Sequence, residues 1–206
     1  MIVLTVAQAI DRALSLANGG RTLLGVAGRP GAGKSTLSAA IAGHVASSVV
    51  VPMDGFHLLN DELIRLGRRD RKGAPDTFDV DGYAQLLARI RHQTLGEVVT
   101  APRYDRAASA PVADAIAVDS DVRLVITEGN YLLLDEPSWE RVRQLLDEVW
   151  FVEIDDAMRV QRLIRRHIEF GKSPDEAREW VMRSDEANAA FVASSRSRAD
   201  VVVRLT

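Results

Sequence analysis

The chain contains no cysteine, which excludes a disulfide framework, thiolate catalysis, iron–sulfur clusters and cysteine-ligated zinc. The same absence fits a reducing compartment, and a cytoplasmic location is expected. Aromatic residues are scarce, at 5% of 206 residues. No apolar run reaches the roughly 20 residues that a membrane-spanning helix needs. The first residues carry no basic n-region, and their apolar run is broken by Gln8, Asp11 and Arg12, so neither a secretory leader nor a membrane anchor is expected. No charge of one sign dominates either. A net charge of -3 gives no global attraction to nucleic acid or anionic lipid, so a polyanion would have to be held by a local cluster of cations. What remains, 47% hydrophobic and 27% charged residues, is the composition of a folded globular chain. The length fits one α/β domain, residues 1–206.

Short apolar runs alternate with amphipathic helical patterns, the signature of βαβ units around a parallel sheet. The predicted strands are Thr22–Ala27, Val49–Pro52, Val98–Ala101, Val122–Thr127, Val149–Ile154 and Val201–Leu205. Most read as buried runs, not alternating ones. Helices are predicted to start near Lys34, Asn60, Asp81, Ser138, Asp156 and Ser173. An earlier helix is announced by Thr5 with Gln8 in a capping-box pattern, by Val6, Ile10 and Leu14 at helical spacing, and by an Asn18-Gly19-Gly20 stop. Ser173-Pro174-Asp175-Glu176 repeats the capping box with proline at the first helical position. The polar segment from Gly67 to Gly82, with Gly73 and Pro75 inside it, reads as an ordered functional loop.

The strongest motif is Gly28-Arg29-Pro30-Gly31-Ala32-Gly33-Lys34-Ser35, which fits G-x-x-x-x-G-K-[ST] and lies between an apolar strand and a helix, as a phosphate-binding loop requires. Its glycines let backbone amides form a nest for phosphate oxygens, and the following helix, from Lys34 through Thr36, adds partial positive charge at its N-terminus. Lys34 would reach the β- and γ-phosphates and Ser35 would ligate Mg²⁺, making ATP and Mg²⁺ the expected cofactors. The chain has no N-K-x-D segment for guanine and no LSGGQ segment of transporter type. Glu128 ends the strand ITEG, where it could hold a metal-bound water. Asp54 ends the strand VVVPMD and should face the same crevice, because ligands of open α/β sheets lie beyond the carboxyl ends of the strands. A carboxylate there can take the proton of an attacking hydroxyl. The bland alternative for Asp54 is a turn formed with Gly55.

These residues resemble the P-loop small-molecule kinases that include uridine kinase, phosphoribulokinase and type I pantothenate kinase. The likeness covers nearly the whole chain: GRPGAGKS, MDGFH, RKGAPDTFDVDGY, the AP-x-YDR segment from Ala101 to Arg106, ITEGNYLLL and RLIRRHIEFGKS. It implies a P-loop α/β fold with a mostly parallel sheet, helices on both faces and a small helical lid at about 157–175. It further implies Asp54 as general base, Lys34 and Ser35 as phosphate and metal residues, and Glu128 as the acidic residue of the third strand. Among the lid arginines, 159, 162 and 166 share one helical face and Arg165 is offset; Arg162 and Arg166 are the candidates for the transferring phosphate. The acceptor pocket is expected to use His57, Lys72, Asp79, Arg103, Tyr104 and Asp105, and the last loop offers Arg198, with Arg196 beside it, to the nucleotide. His44, His92 and His167 read as surface or packing residues, and Trp139, Trp180 and Phe191 as core, with Trp180 also a candidate lid contact.

The expected acceptor is a sugar or other polyol. A nucleoside kinase is the alternative within the same class, and a nucleotide switch or ATPase acting on a protein partner is the alternative outside it. About 200 residues leave no space for the C-terminal substrate region of a pantothenate kinase, and Gly55-Phe56-His57 departs from the uridine kinase pattern. The resemblance leaves room for a homodimer, related kinases being dimers or tetramers.

Overall fold

The chain was analysed as a computed structural model that describes residues 1–205; Thr206, the last residue of the expected domain, lies outside the described residues. The valine-rich runs form a six-stranded sheet made of β1 (Ile2–Leu4), β2 (Thr22–Gly28), β3 (Ser48–Pro52), β6 (Leu124–Gly129), β7 (Glu148–Glu153) and β8 (Val201–Arg204). All pairings are parallel, in the order β1-β8-β7-β2-β6-β3. Such a sheet must be covered on both faces, and every residue of β6 is buried.

Because successive strand residues point to opposite faces, Leu24 and Val26 of β2 pack with Leu37 and Ile41 of α2 (Lys34–His44) and with Ala9 and Ala13 of α1 (Val6–Ala17). Leu23 and Ala27 face the opposite layer. There they meet Tyr83 and Leu87 of α4 (Val80–Arg91), Trp139 of α5 (Pro137–Gln144) and Val192 of α8 (Glu186–Ser194). Each fully buried leucine or isoleucine in these layers contributes about 1.5–3 kcal/mol. Among the described residues no helix is long and apolar enough to cross a membrane.

Both predicted capping boxes form. Thr5 caps α1 with Gln8 reaching back, and Ser173 caps α7 (Pro174–Trp180) with Glu176 reaching back. The 67–82 segment is ordered through two short 3₁₀ turns, Arg69–Arg71 and Pro75–Thr77. It ends earlier than expected, because Asp79 caps α4 by accepting from the Gly82 amide at 2.9 Å.

One expected strand is placed differently. Val98–Ala101 does not join the parallel sheet; it opens the longer β4 (Val98–Asp105), which pairs only with β5 (Ala110–Asp119), antiparallel. Two strands joined by a four-residue turn can pair directly, whereas a parallel partner needs a crossover. The hairpin sits on the 3₁₀ turn Met53–Phe56 that follows β3. Contact is so close at Gly55 that any side-chain carbon there would overlap the Pro102 carbonyl. The strip Phe56–Leu58 is also clipped to the 77–79 backbone, Leu58 donating to Thr77 at 3.0 Å and Asp79 to Phe56 at 2.8 Å.

Behind the phosphate loop, Arg159 of α6 (Asp156–Glu169) is 1% exposed. Its guanidinium donates to Glu186 at 2.7 Å, to Asp156 at 3.1 Å and to the Pro30 carbonyl at 3.4 Å. It thus ties the loop to two helices. Replacing it with methionine is expected to cost about 2–3 kcal/mol in urea unfolding, since several charge-assisted hydrogen bonds are lost while the abandoned carboxylates remain partly solvated. Gly55→Ala is expected to lower stability by about 1–3 kcal/mol, because a backbone carbonyl must move to admit the methyl group; an unchanged Tm would contradict the close packing.

Candidate active site

The parallel register gathers the site. Val26 of β2 and Pro52 of β3 both stand beside Glu128 of β6, so the phosphate loop, Glu128 and Asp54 emerge side by side at the carboxyl end of the sheet. They open onto a cleft of about 350 Å³, within the range of small-molecule sites.

On the donor side the loop bends back through Gly31 at φ +77, a conformation costly for other residues. A Cβ there would come within 2.7 Å of Leu163 and 2.9 Å of the Arg159 carbonyl. The Lys34 ammonium donates to the carbonyls of Gly28 (3.0 Å) and Arg29 (3.3 Å) and to Asn130 Oδ1 (2.6 Å). Burial pushes its pKa down, opposed by the charges of Glu128 and Asp54. Ser35 Oγ donates to Glu128 Oε1 at 2.7 Å. Burial and the neighbouring Asp54 charge push the Glu128 carboxyl up, against the pull of Lys34. Ser35 and Glu128 are hard oxygen donors held together, a set that suits Mg²⁺, which takes few protein oxygens and keeps several waters.

On the opposite wall Asp54 Oδ2 accepts from Arg106 Nη2 at 3.1 Å. His57 Nδ1 lies 2.8 Å from the Asp54 carbonyl. The His57 ring is held between Phe78 (4.1 Å) and Tyr104 (4.6 Å); burial lowers its pKa, so it is neutral near pH 7. Lys72 lies over the other ring of this wall, 5.3 Å from the Tyr104 centroid. It donates to Asn60 Oδ1 at 2.8 Å and to the Ser109 carbonyl at 2.7 Å.

The α6 arginines divide as their helical spacing requires. Arg162 and Arg166 border the phosphate loop beside Gly33 and Thr36, Arg165 is exposed, and Arg159 is the buried strut described above. Arg29 is paired with Asp156 across the loop.

Four expected site residues are taken up elsewhere. Strand alternation explains two: in β4 the side chain of Tyr104 lines the cleft, joined by Arg106 from the turn that follows, whereas Arg103 does not and Asp105 accepts from the amides of Ala107 and Ala108 in that turn. Asp79 is the α4 cap. Arg198 is bound to the Leu133 carbonyl at 3.1 Å and to Glu140, and neighbouring Arg196 to Glu153, so neither lines the cleft.

Sequence reasoning missed Arg106, Asn130 and the pair His167–Asp185, 2.7 Å apart. Arg106 closes the AP-x-YDR segment but lies in the turn beyond β4, where strand alternation gives no direction for its side chain. His167 lines the cleft instead of the surface because a π turn, Val181–Asp185, brings Asp185 opposite α6. Trp180 also lines the cleft, half-buried, with Lys172 4.6 Å above its ring. Trp139 is core as expected, while Phe191 is 43% exposed. His44 and His92 are exposed.

Comparison with known proteins agrees with this geometry. The description "Phosphoribulokinase / Uridine kinase family" matches residues 23–206. A Schizosaccharomyces pombe protein provisionally named a uridine kinase, C227.14, is 36% identical over 196 residues, covering 89% of this chain and 83% of its own. The crystal structure of a Silicibacter sp. TM1040 protein, provisionally described as a fructose transport system kinase, superposes with a TM-score of 0.86 at 37% identity, covering 97% of this chain and 98% of that one. Saccharomyces cerevisiae YFH7 shares the fold, with a TM-score of 0.82 at 19% identity over 98% of this chain and 99% of that one. The sheet, the phosphate loop and these relatives lead to one conclusion: the chain belongs to the phosphoribulokinase/uridine kinase family and is an ATP-dependent P-loop phosphotransferase with a hydroxyl acceptor, Mg²⁺ being the usual partner of its nucleotide.

Proposed function

We propose that the chain transfers the γ-phosphoryl group of ATP to a hydroxyl of a small metabolite, a sugar or other polyol, with Asp54 as general base. The observation that carries this reading is that the Asp54 carboxylate opens onto the same cleft as Lys34, Ser35 and Glu128. In the reaction the acceptor oxygen forms a bond to the γ-phosphorus, the bridging bond to ADP breaks, and Asp54 takes the hydroxyl proton. Lys34 and the loop amides bind the phosphates. Ser35 and Glu128 would hold Mg²⁺ or its water, and the ion when bound offsets phosphate charge.

Arg106 orients the Asp54 carboxylate. His57 donates from Nδ1 to the Asp54 carbonyl, which leaves Nε2 free to accept from an acceptor hydroxyl. Residues 157–175 would serve as a lid, with Arg162 and Arg166 facing the transferring group and excluding water on closure. A nucleoside acceptor is the second reading, supported by the ring wall of His57, Phe78 and Tyr104, on which a base could stack.

Asp54→Asn is expected to lower kcat about 10²–10⁴-fold while MgATP affinity stays within about threefold. ADP release measured across sugars, polyols and nucleosides checks this and identifies the acceptor. ATP hydrolysis independent of acceptor and indifferent to Asp54→Asn would favour a switch or a partner-driven ATPase. Glu128→Gln is expected to raise the Mg²⁺ concentration for half-maximal activity about tenfold or more, read by metal titration at saturating ATP.

A further inference from the structure

The chain is mildly acidic, yet its cleft is not. Six lysine and arginine side chains line it against three carboxylates, Asp54, Glu128 and Asp185. Lys34 and Arg166 adjoin the phosphate loop and Glu128 is matched to Ser35, so the nucleotide and its metal account for that end. At the acceptor end Arg106 is matched to Asp54, but two cations of the 67–82 segment are left over.

The loop that carries them sorts its charges. Arg68 and Arg71 share Asp76 as a partner. Arg69 and Lys72, interleaved with them, face the cleft and have no ion-pair partner among the described residues. Lys72 is half-buried, and its ammonium is held by neutral groups, Asn60 Oδ1 and the carbonyl and hydroxyl of Ser109. Elsewhere the arginines of α4, α5 and the 196–198 turn are matched to carboxylates. A fixed, partly desolvated cation without a counter-ion is costly unless a ligand supplies the negative charge. Contact runs from this ammonium through the Tyr104 and His57 rings to the Asp54 backbone carbonyl, and Lys72, Arg69 and Asp54 line the same cleft of about 350 Å³.

We propose that the acceptor carries an acid group, a carboxylate or a phosphate, which seats at Lys72 and Arg69 while its hydroxyl meets Asp54. The inference rests on the kinase reading above and narrows its polyol to an acidic one.

The test is ADP release from MgATP with matched acceptors: glycerol against glycerate and glycerol 3-phosphate, and ribitol against ribonate and ribose 5-phosphate, with uridine alongside. An acidic member is expected to exceed its neutral counterpart by about 100-fold or more in kcat/KM, since a site built for a charged group rejects the analogue lacking it. The carboxylate and phosphate arms tell which acid is read. Lys72→Gln is expected to raise KM for that acceptor about tenfold or more with a much smaller change in kcat, and Lys72→Arg to restore it, with Tm showing that both variants fold.

Equal or better turnover of glycerol, ribitol or uridine overturns the inference and leaves the kinase reading standing, as does a Lys72→Gln enzyme with unchanged KM. If no acidic member is phosphorylated and none raises the Tm of the complex with a non-hydrolysable ATP analogue, the inference fails as well. Acceptor-independent hydrolysis that survives Asp54→Asn removes the kinase reading and the inference with it.

Discussion

Everything at the active site depends on the register of three parallel strands. With Val26, Glu128 and Pro52 held abreast by backbone hydrogen bonds, the chain must leave the sheet at three adjacent points. The turns that follow place the phosphate loop, the Glu128 carboxylate and the Asp54 carboxylate around one cleft. A one-residue slip in any of these strands would turn its side chains to the other face. The two buried layers, each specific for one face, prevent that slip, and the positions of Lys34, Glu128 and Asp54 are a by-product of core packing.

Two kinds of local signal were legible in the sequence because they need no tertiary partner. The phosphate loop is defined by glycine conformation and a helix start, and the capping boxes at Thr5 and Ser173 by contacts three residues apart. What escaped notice depends on partners distant in sequence. The exposed three-residue strand Ile2–Leu4 exists only because β8 lies beside it. β5 has no buried run of its own, and α8, rich in alanine, has no clear polar and apolar sides. At the site the P-loop, Asp54 and Glu128 could be read from motif and strand end. Asp79, Asp105 and Arg198 have residue types suited to a ligand, but each is used by its own backbone or by a nearby ion pair. His167 required knowledge of the π turn that faces it with Asp185.

Burial and charge act against each other within the cleft. Removing Lys34 from water disfavours its charged form, and removing Glu128 from water disfavours its own. Each charge is opposed in its desolvation by the other, Lys34 also by the Gly28, Arg29 and Asn130 oxygens that accept from it and Glu128 by the Ser35 hydroxyl that donates to it. The cost of this preformed polarity is met by the fold before any nucleotide arrives, so little reorganisation is needed when one binds. Arg159 serves the same end from behind. Its almost wholly buried guanidinium donates to the Pro30 carbonyl and so braces the loop against α6.

The hairpin of β4 and β5 stands outside the main sheet and touches the rest of the site chiefly at the turn that bears Asp54. Under the proposed reading, donor recognition belongs to the central scaffold, and part of the acceptor wall belongs to an appendage hung beside it. Changes at Tyr104, Arg106 or Ser109 can accumulate without disturbing the strands that carry the phosphate loop. This division lets a lineage keep its chemistry while exchanging its substrates, and it locates the positions where such divergence would be recorded.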